Sequence, residues 1–268
     1  MMESVRPPWS PDADYSHIPF FIRRMDTSGY IKPAEAPAAR LPIIGFIYVT
    51  SGEVLVDVDG TSYLCQPGQI LLIPQQSAFT IRFYRDAIGF TGGFSPSIIS
   101  DTRSLKYLSS PLHQGFWFEE GAFMGMLFDM LATSFEKGDR VFIEKGMDLF
   151  LSRLKPDHRA SVPPAVNHFL DSVFDPDKLP GSISGYADEI GISENYLSRL
   201  VKQSTGRTVM AWVDIVRIQR AKKLLAMTSL SIIDIAASIG MDDQSYFSRL
   251  FKKETGVTPS AFRKMMQG

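Results

Sequence analysis

Residues 182–206 read SISGYADEIGISENYLSRLVKQSTG, and residues 231–256 read SIIDIAASIGMDDQSYFSRLFKKETG. Laid over each other, Ser182-Ile183, Ala187 and Gly191 match Ser231-Ile232, Ala236 and Gly240 at a spacing of 49. Leu197-Ser198-Arg199-Leu200 and Thr205-Gly206 then match Phe247-Ser248-Arg249-Leu250 and Thr255-Gly256 at a spacing of 50. One residue is therefore inserted in the turn of the second copy. A repeat of this period is the signature of one supersecondary unit used twice.

Each copy reads as two helices around a tight turn. Ser182 and Ser231 suit N-cap positions, where a hydroxyl accepts from an amide of the first turn. Ile183, Tyr186, Ala187 and Ile190 follow i, i+3, i+4, i+7, as do Ile232, Ile235, Ala236 and Ile239, so each first helix has one inward stripe. The small alanine in each stripe lets a neighbouring helix approach, and Gly191 or Gly240 permits the turn. In the second helices Leu197, Leu200 and Val201, or Phe247, Leu250 and Phe251, point inward. That leaves Asn195, Ser198, Arg199 and Lys202 on one outer face, and Ser245, Ser248, Arg249 and Lys252 on the other.

An outer helix face of Ser, Arg and Lys is ordinarily only a solvated surface. Here the same chemistry recurs at equivalent positions, each time after a capped helix and a glycine turn. Arginine donates twice to guanine O6 and N7, asparagine pairs with adenine, serine takes either role, and lysine neutralises phosphate. Between the copies, Thr208 to Ala226 lacks Pro and Gly and carries Val209, Trp212, Val213 and Val216. It predicts one connecting helix of about 19 residues and about 28 Å, against about 34 Å for a turn of DNA.

The N-terminal half has the other period. Residues Ile43 to Phe94 read as strands: Val54, Val56 and Val58 alternate with Glu53, Asp57 and Asp59, predicting one face in a core and one in water. Asp59-Gly60 predicts a hairpin turn, Pro67-Gly68 another, and the apolar run Ile70 to Ile73 ends at Pro74. Short strands between regular turns suggest a small barrel or sandwich. From Phe123 to Leu154 the spacing is helical again, broken at Lys137-Gly138-Asp139, which predicts an antiparallel pair. Lys155 to Pro164, with three prolines, is the candidate linker. The expected architecture is α+β in two domains, 1–160 and 161–268.

Composition bounds the function classes. With 268 residues, the chain suits two cores. Residues 160–268 carry 13 basic and 11 acidic side chains and the remainder 15 and 18, so total charge makes no case for nucleic acid and the placement of charges must. The one cysteine, Cys65, allows no internal disulfide and reads as a small buried hydrophobe. The first residues lack the apolar core of a secretion signal and no run is long enough to span a membrane, so the expected location is cytoplasmic. His17, His113, His158 and His168 all fall outside Ile43 to Phe94, so no metal is expected there, and no nucleophile triad or phosphate-binding glycine loop stands out. No cofactor and no catalysis are expected.

On Asp234-Ile235-Ala236 through Gly240, Tyr246 to Lys253 and Gly256-Val257-Thr258-Pro259, residues 162–265 resemble the AraC/XylS family of bacterial regulators. The resemblance implies two helix-turn-helix units joined by a long helix, binding double-stranded DNA. By position it puts base contacts on Asn195, Ser198 and Arg199, and on Gln244, Ser245, Ser248 and Arg249. Two residues depart from the pattern: Gly185 lies within the first helix, and Val209 stands where the second copy has Pro259. Gly52 to Gly60 and Cys65 to Pro74 are similar to the family's cupin-like sensing barrel. That likeness implies a small effector and a homodimer through residues 119–154, with RNA polymerase as a partner if the protein activates. The effector, or the arm of residues 1–20, is expected to change how the paired subunits present their DNA heads. Against the dimer stands the reading that the 119–154 helices only cover the barrel. Phe46, Tyr48, Phe79 and Phe90 are the candidate effector lining, though core packing accounts for them equally. Two other classes remain: a cupin-type enzyme or small-molecule carrier with a helical appendage, separated by metal analysis and a turnover screen, and a dimeric interaction module, separated by the salt response of DNA binding.

Overall fold

The computed structural model describes residues 19–27, 39–100, 114–117, 121–157 and 161–267. They form two compact units that meet in sequence between Ser161 and Val162. The N-terminal unit is an antiparallel sheet of β1 (Phe20–Asp26), β2 (Ala39–Arg40), β3 (Ile44–Val58), β4 (Thr61–Cys65), β5 (Gln69–Ile73), β6 (Ala78–Phe94), β7 (Gln114–Trp117) and β8 (Lys155–Asp157). Its order is β1-β6-β3-β5-β7-β8, with β2 also on β6 and β4 also on β3. The long strands β3 and β6 pair from Ile44↔Phe94 to Val58↔Phe79, with register shifts at Val49/Ser51, Ser51/Glu53 and Leu55/Val56. Such bulges bend strands of this length and increase their twist.

The turns follow their residues. Asp59 and Gly60 both have positive φ, 48° and 81°, which a two-residue hairpin between Val58 and Thr61 demands. The Asp59 carboxylate fixes the turn to β6 by accepting from Ala78 N at 2.8 Å. At Gln66-Pro67-Gly68-Gln69, Gln69 N donates to Gln66 O at 3.0 Å and Gly68 takes φ 83°, a turn that needs glycine in its third place.

Two corrections concern this unit. The face of β3 opposite Val54, Val56 and Val58 is not simply wet: Leu55 is fully buried, Glu53 is nearly so, and Asp57 pairs with Arg82 at 2.8 Å. β3 has paired neighbours on both edges and cover on both faces, so the alternation of charge marks an ion pair as well as a surface. Second, Lys155–Asp157 is not linker but the strand β8, paired with β7. Pro156 is tolerated there because β8 is the end of the strand order, where a missing N–H breaks no inner ladder.

The helices α1 (Gly121–Lys137) and α2 (Arg140–Ser152) break at Gly138, φ 71°, and α2 starts on the Asp139 cap. Their buried residues Met124, Leu127, Phe128, Leu131, Met147, Phe150 and Leu151 form one core with Phe46, Tyr48, Ile70, Leu72, Phe90 and Phe94 of the sheet. The other sheet face has its own core, which includes Ile47, Val49, Val54, Val56, Val58, Leu71, Ile73 and Phe79. The helices thus cover the sheet. Beyond that cover, Phe123, Met126, Met130 and Val141 remain exposed.

The C-terminal unit is helical: α3 (Pro164–Phe174), α4 (Ile183–Ile190), α5 (Glu194–Thr205), α6 (Val209–Met227), α7 (Ile232–Ser238), α8 (Gln244–Thr255) and α9 (Pro259–Gln267). The connecting helix α6 has 19 residues and buries Val209, Trp212, Val213, Ile215, Val216, Ile218, Ala221 and Leu225. Apolar on several sides, it is the central helix of the unit rather than a bare spacer. Its second half packs with Ile235, Ala236, Ile239, Phe247, Leu250, Phe251 and Phe262 into one core. Among the described residues no helix is long and apolar enough to cross a membrane.

Candidate nucleic-acid interface

The two helix pairs, α4–α5 and α7–α8, are built alike down to single hydrogen bonds. Ser182 Oγ accepts from Gly185 N at 3.2 Å and Ser231 Oγ from Asp234 N at 3.2 Å, so both serines cap as their sequence suggests. Gly191 and Gly240 take φ of 77° and 74°, and the residue after each donates back to Ala187 O or Ala236 O, at 3.0 and 2.9 Å. The inserted residue lies between that glycine and the second helix. Three residues, Gly191 to Ser193, lead to α5, and four, Gly240 to Asp243, lead to α8. The caps of α5 and α8 differ accordingly: Ser193 accepts from Tyr196 N, and Asp243 from Ser245 N and Tyr246 N. Those two backbone donors, with Arg249 nearby, hold the Asp243 carboxyl below the usual range.

Above these turns the inward residues are where the period puts them. Leu197 and Val201 are fully buried, as are Phe247 and Phe251, with Leu250 buried and Leu200 half-buried. Asn195, Arg199 and Lys202 are exposed on α5; Gln244, Ser245, Arg249 and Lys252 are exposed on α8; Ser198 and Ser248, nearer the packed side, are both half-buried. Every one of these nine side chains reaches solvent, and the matched ones occupy the same turn of a 12-residue helix.

Sequence reasoning missed two aromatic residues on these faces. Tyr196 and Tyr246 stand at equivalent positions, 42% and 46% exposed, and the Arg199 guanidinium lies 5.4 Å from the Tyr196 ring centroid. Their 50-residue spacing was the available signal. An exposed ring in that position narrows the freedom of Arg199 through a cation–π contact.

Four arginine and glutamine side chains tie the pairs to the rest of the unit. Arg220 of α6 donates to Lys178 O and Asp175 O, ahead of α4. Arg217 donates to Pro180 O and Gly240 O. Arg263 of α9 donates to Leu230 O, and Gln267 to Leu225 O and Thr228 O. The lead-ins to both pairs, and the Gly240 turn of the second, are therefore held by α6 and α9.

The candidate effector lining is not brought together. Phe46, Tyr48 and Phe90 surround Phe128 of α1, with ring centroids 5.5, 4.8 and 5.6 Å from it, whereas Phe79 belongs to the core on the opposite sheet face. Tyr48 also donates to Gly121 O at 3.0 Å, and burial pushes its hydroxyl up to about 12. Cys65 is buried in the second core, and desolvation pushes its thiol up to about 12. Of the histidines, His168 lies 3.6 Å from Glu189, and His17, His113 and His158 lie outside the described residues, as does most of the 1–20 arm. Among the described residues no three His, Cys, Asp or Glu side chains gather as a metal site.

Comparison with known proteins places these features in context. A family model described as a helix-turn-helix domain matches residues 186–265. The arabinose operon regulatory protein of Escherichia coli K12 is 28% identical over 235 residues, 79% of this chain and 77% of that protein. The transcriptional activator RhaR of the same strain is 38% identical over 88 residues, 33% of this chain and 31% of its own. Among solved structures, the C-terminal domain of AraT, a response regulator from Geobacillus stearothermophilus, is 31% identical and covers 39% of this chain and 87% of that one, with a TM-score of 0.36.

Proposed function

We propose that this chain, which belongs to the AraC family of DNA-binding transcriptional regulators, reads its site with two helix-turn-helix units, presenting α5 and α8 to successive major grooves on one side of the duplex. In this reading Arg199 and Arg249 each donate to guanine O6 and N7. Asn195, Gln244, Ser198, Ser245 and Ser248 meet neighbouring base edges, and Lys202 and Lys252 meet phosphates. The observation that carries it is the pair of matched Ser-Arg-Lys faces, exposed at Arg and Lys, on two 12-residue helices of one helical unit. Nineteen residues of α6 span about 28 Å, which suits helices set about one DNA turn apart.

The N-terminal unit is the sensing and pairing half in this proposal: a cupin-like barrel for a small effector, and a homodimer in a cytoplasmic regulator without catalysis of its own. If it activates, RNA polymerase is a further partner. The exposed Phe123, Met126 and Met130 support pairing through the outer side of α1, which leaves the buried side free to cover the sheet. The effector is not carried by the four aromatic residues taken as one lining, because helix α1 already fills the space around three of them.

The test is DNA affinity as a function of salt and of sequence. With a net charge of −1 the protein has no general affinity for polyanions to rely on, so a steep loss of affinity with salt reports local phosphate contacts. Arg199→Ala and Arg249→Ala are each expected to cost about 1–3 kcal/mol on the selected site and to relax base preference at one position. Unchanged affinity and preference in both variants would remove the assigned faces from the interface.

A further inference from the structure

Arg217 lies in the middle of α6, with its side chain only 14% exposed. Its Nη2 donates to Gly240 O at 3.2 Å and to Pro180 O at 3.4 Å, and its Nη1 is 3.5 Å from Asp214 Oδ1 on its own helix. Pro180 leads into the Ser182 cap of α4, and Gly240 is the turn residue between α7 and α8. These two segments also lie near each other: a Cβ on Gly240 would stand 3.7 Å from Pro180 O and 3.8 Å from Arg217 Nη2. One guanidinium therefore bonds at the same time to the lead-in of the first helix pair and the turn of the second.

Its energetics do not suggest a residue kept for stability. Nε of Arg217 is buried with no hydrogen-bond partner among the described residues. Burying a guanidinium costs desolvation that its contacts only partly offset, and an apolar side chain of similar length often stabilises as well or better. What an apolar side chain cannot do is hold two carbonyls from different segments in fixed relation. Lysine keeps the charge but has one nitrogen, so it cannot meet Asp214 through a second one while the first bonds both carbonyls in a fixed plane.

We propose that Arg217 is a positioning residue that sets the spacing at which the two recognition helices meet DNA. The inference rests on the two-groove reading above. If the bond to either carbonyl is lost, α5 and α8 still fold on α6, but the first and second pairs are free to shift against each other, and the offset of the two DNA segments is read less sharply.

The test uses the full-length chain and a site selected by it from random duplex DNA, with versions carrying one base pair more or fewer between the two contacted segments. In the parent the native spacing is expected to be preferred by about tenfold or more, since displacing one helix by a base pair forfeits about one base contact. In Arg217→Met and Arg217→Lys that preference is expected to fall to about threefold or less, while base preference within each segment is kept. Melting of the variants within a few degrees of the parent is expected alongside. A parent indifferent to spacing would sink the two-groove reading and this proposal with it. A parent with the preference and variants that keep it in full would overturn this proposal alone. Failure of both variants to fold would also overturn it, assigning Arg217 to folding; if Met alone fails, the Lys variant decides.

Discussion

The duplicated helix pair supplies its own control for one buried hydrogen-bond network. Thr205 and Thr255, the penultimate matched residues, each donate to the carbonyl four residues back, Val201 O at 2.8 Å and Phe251 O at 2.7 Å. Each also accepts from the amide two residues on, Arg207 N at 3.3 Å and Val257 N at 3.4 Å. Each hydroxyl also lies within reach of the carbonyl two residues on, Arg207 O at 3.5 Å and Val257 O at 3.0 Å. What distinguishes Thr205 is that it accepts from the Trp212 indole Nε1–H at 2.9 Å and is fully buried where Thr255 is half-buried. Changing each to valine keeps the side-chain volume and removes the hydroxyl. The shared bonds are worth about 1 kcal/mol net, whereas taking a buried donor's acceptor away adds about 1–3 kcal/mol. Thr205→Val is thus expected to destabilise the C-terminal unit by about 2–4 kcal/mol and Thr255→Val by about 1 kcal/mol. In a unit of this size 1 kcal/mol moves a melting midpoint by about 4 °C or more, so the two variants are separable by circular dichroism melts or urea titration of the full chain. Equal losses, or a larger loss for Thr255→Val, would refute the assignment of the extra cost to the indole.

Other outcomes follow from the same structure. Glu189 is held below the usual carboxylate range by its bond to Lys178 Nζ at 2.7 Å, with Ser172 Oγ at 2.8 Å. A lowered carboxyl stabilises above its unfolded pKa and loses that contribution as pH falls through the folded one. Glu189→Gln should therefore flatten the acid side of the C-terminal unit's stability profile; a profile as steep as the parent's would count against this. Cys65, buried with its thiol pushed up to about 12, should resist a thiol reagent at pH 8 until the N-terminal unit unfolds, and prompt labelling of the native chain would contradict its place in the core. If the outer side of α1 pairs two chains, Met126→Glu with Met130→Glu should shift sedimentation toward the monomer while leaving the sheet's melt in place, because both side chains are exposed, 60% and 52%; an unchanged sedimentation profile would move the interface elsewhere.

The C-terminal unit was the more legible half because its repeat states each position twice. The caps, the glycine turns and the inward stripe could each be checked against a second copy, and the outer faces then followed by subtraction. What escaped was long-range: nothing near Arg217 in sequence announces Pro180 or Gly240 as its partners, since those contacts span 37 and 23 residues. In the N-terminal half, β2, β7 and β8 have only two to four residues each, too short to show a period of two. The scattering of the aromatic residues could not be read from alternation. Val58 and Tyr48, the β3 partners of Phe79 and Phe90, are an even ten residues apart and still lie in opposite cores, because register shifts between them break the period of two. Leu55 was hidden for a different reason: cover on both faces of a central strand overrides the alternation of its neighbours.

Methylation interference at guanine N7 bears most directly on how this regulator holds DNA, because N7 is the atom an arginine fork requires. The expected pattern is two groups of sensitive guanines in major grooves about one helical turn apart, the sensitivity of one group abolished in Arg199→Ala and of the other in Arg249→Ala. A single group, or the same guanines losing sensitivity in both variants, would contradict two helices reading side by side.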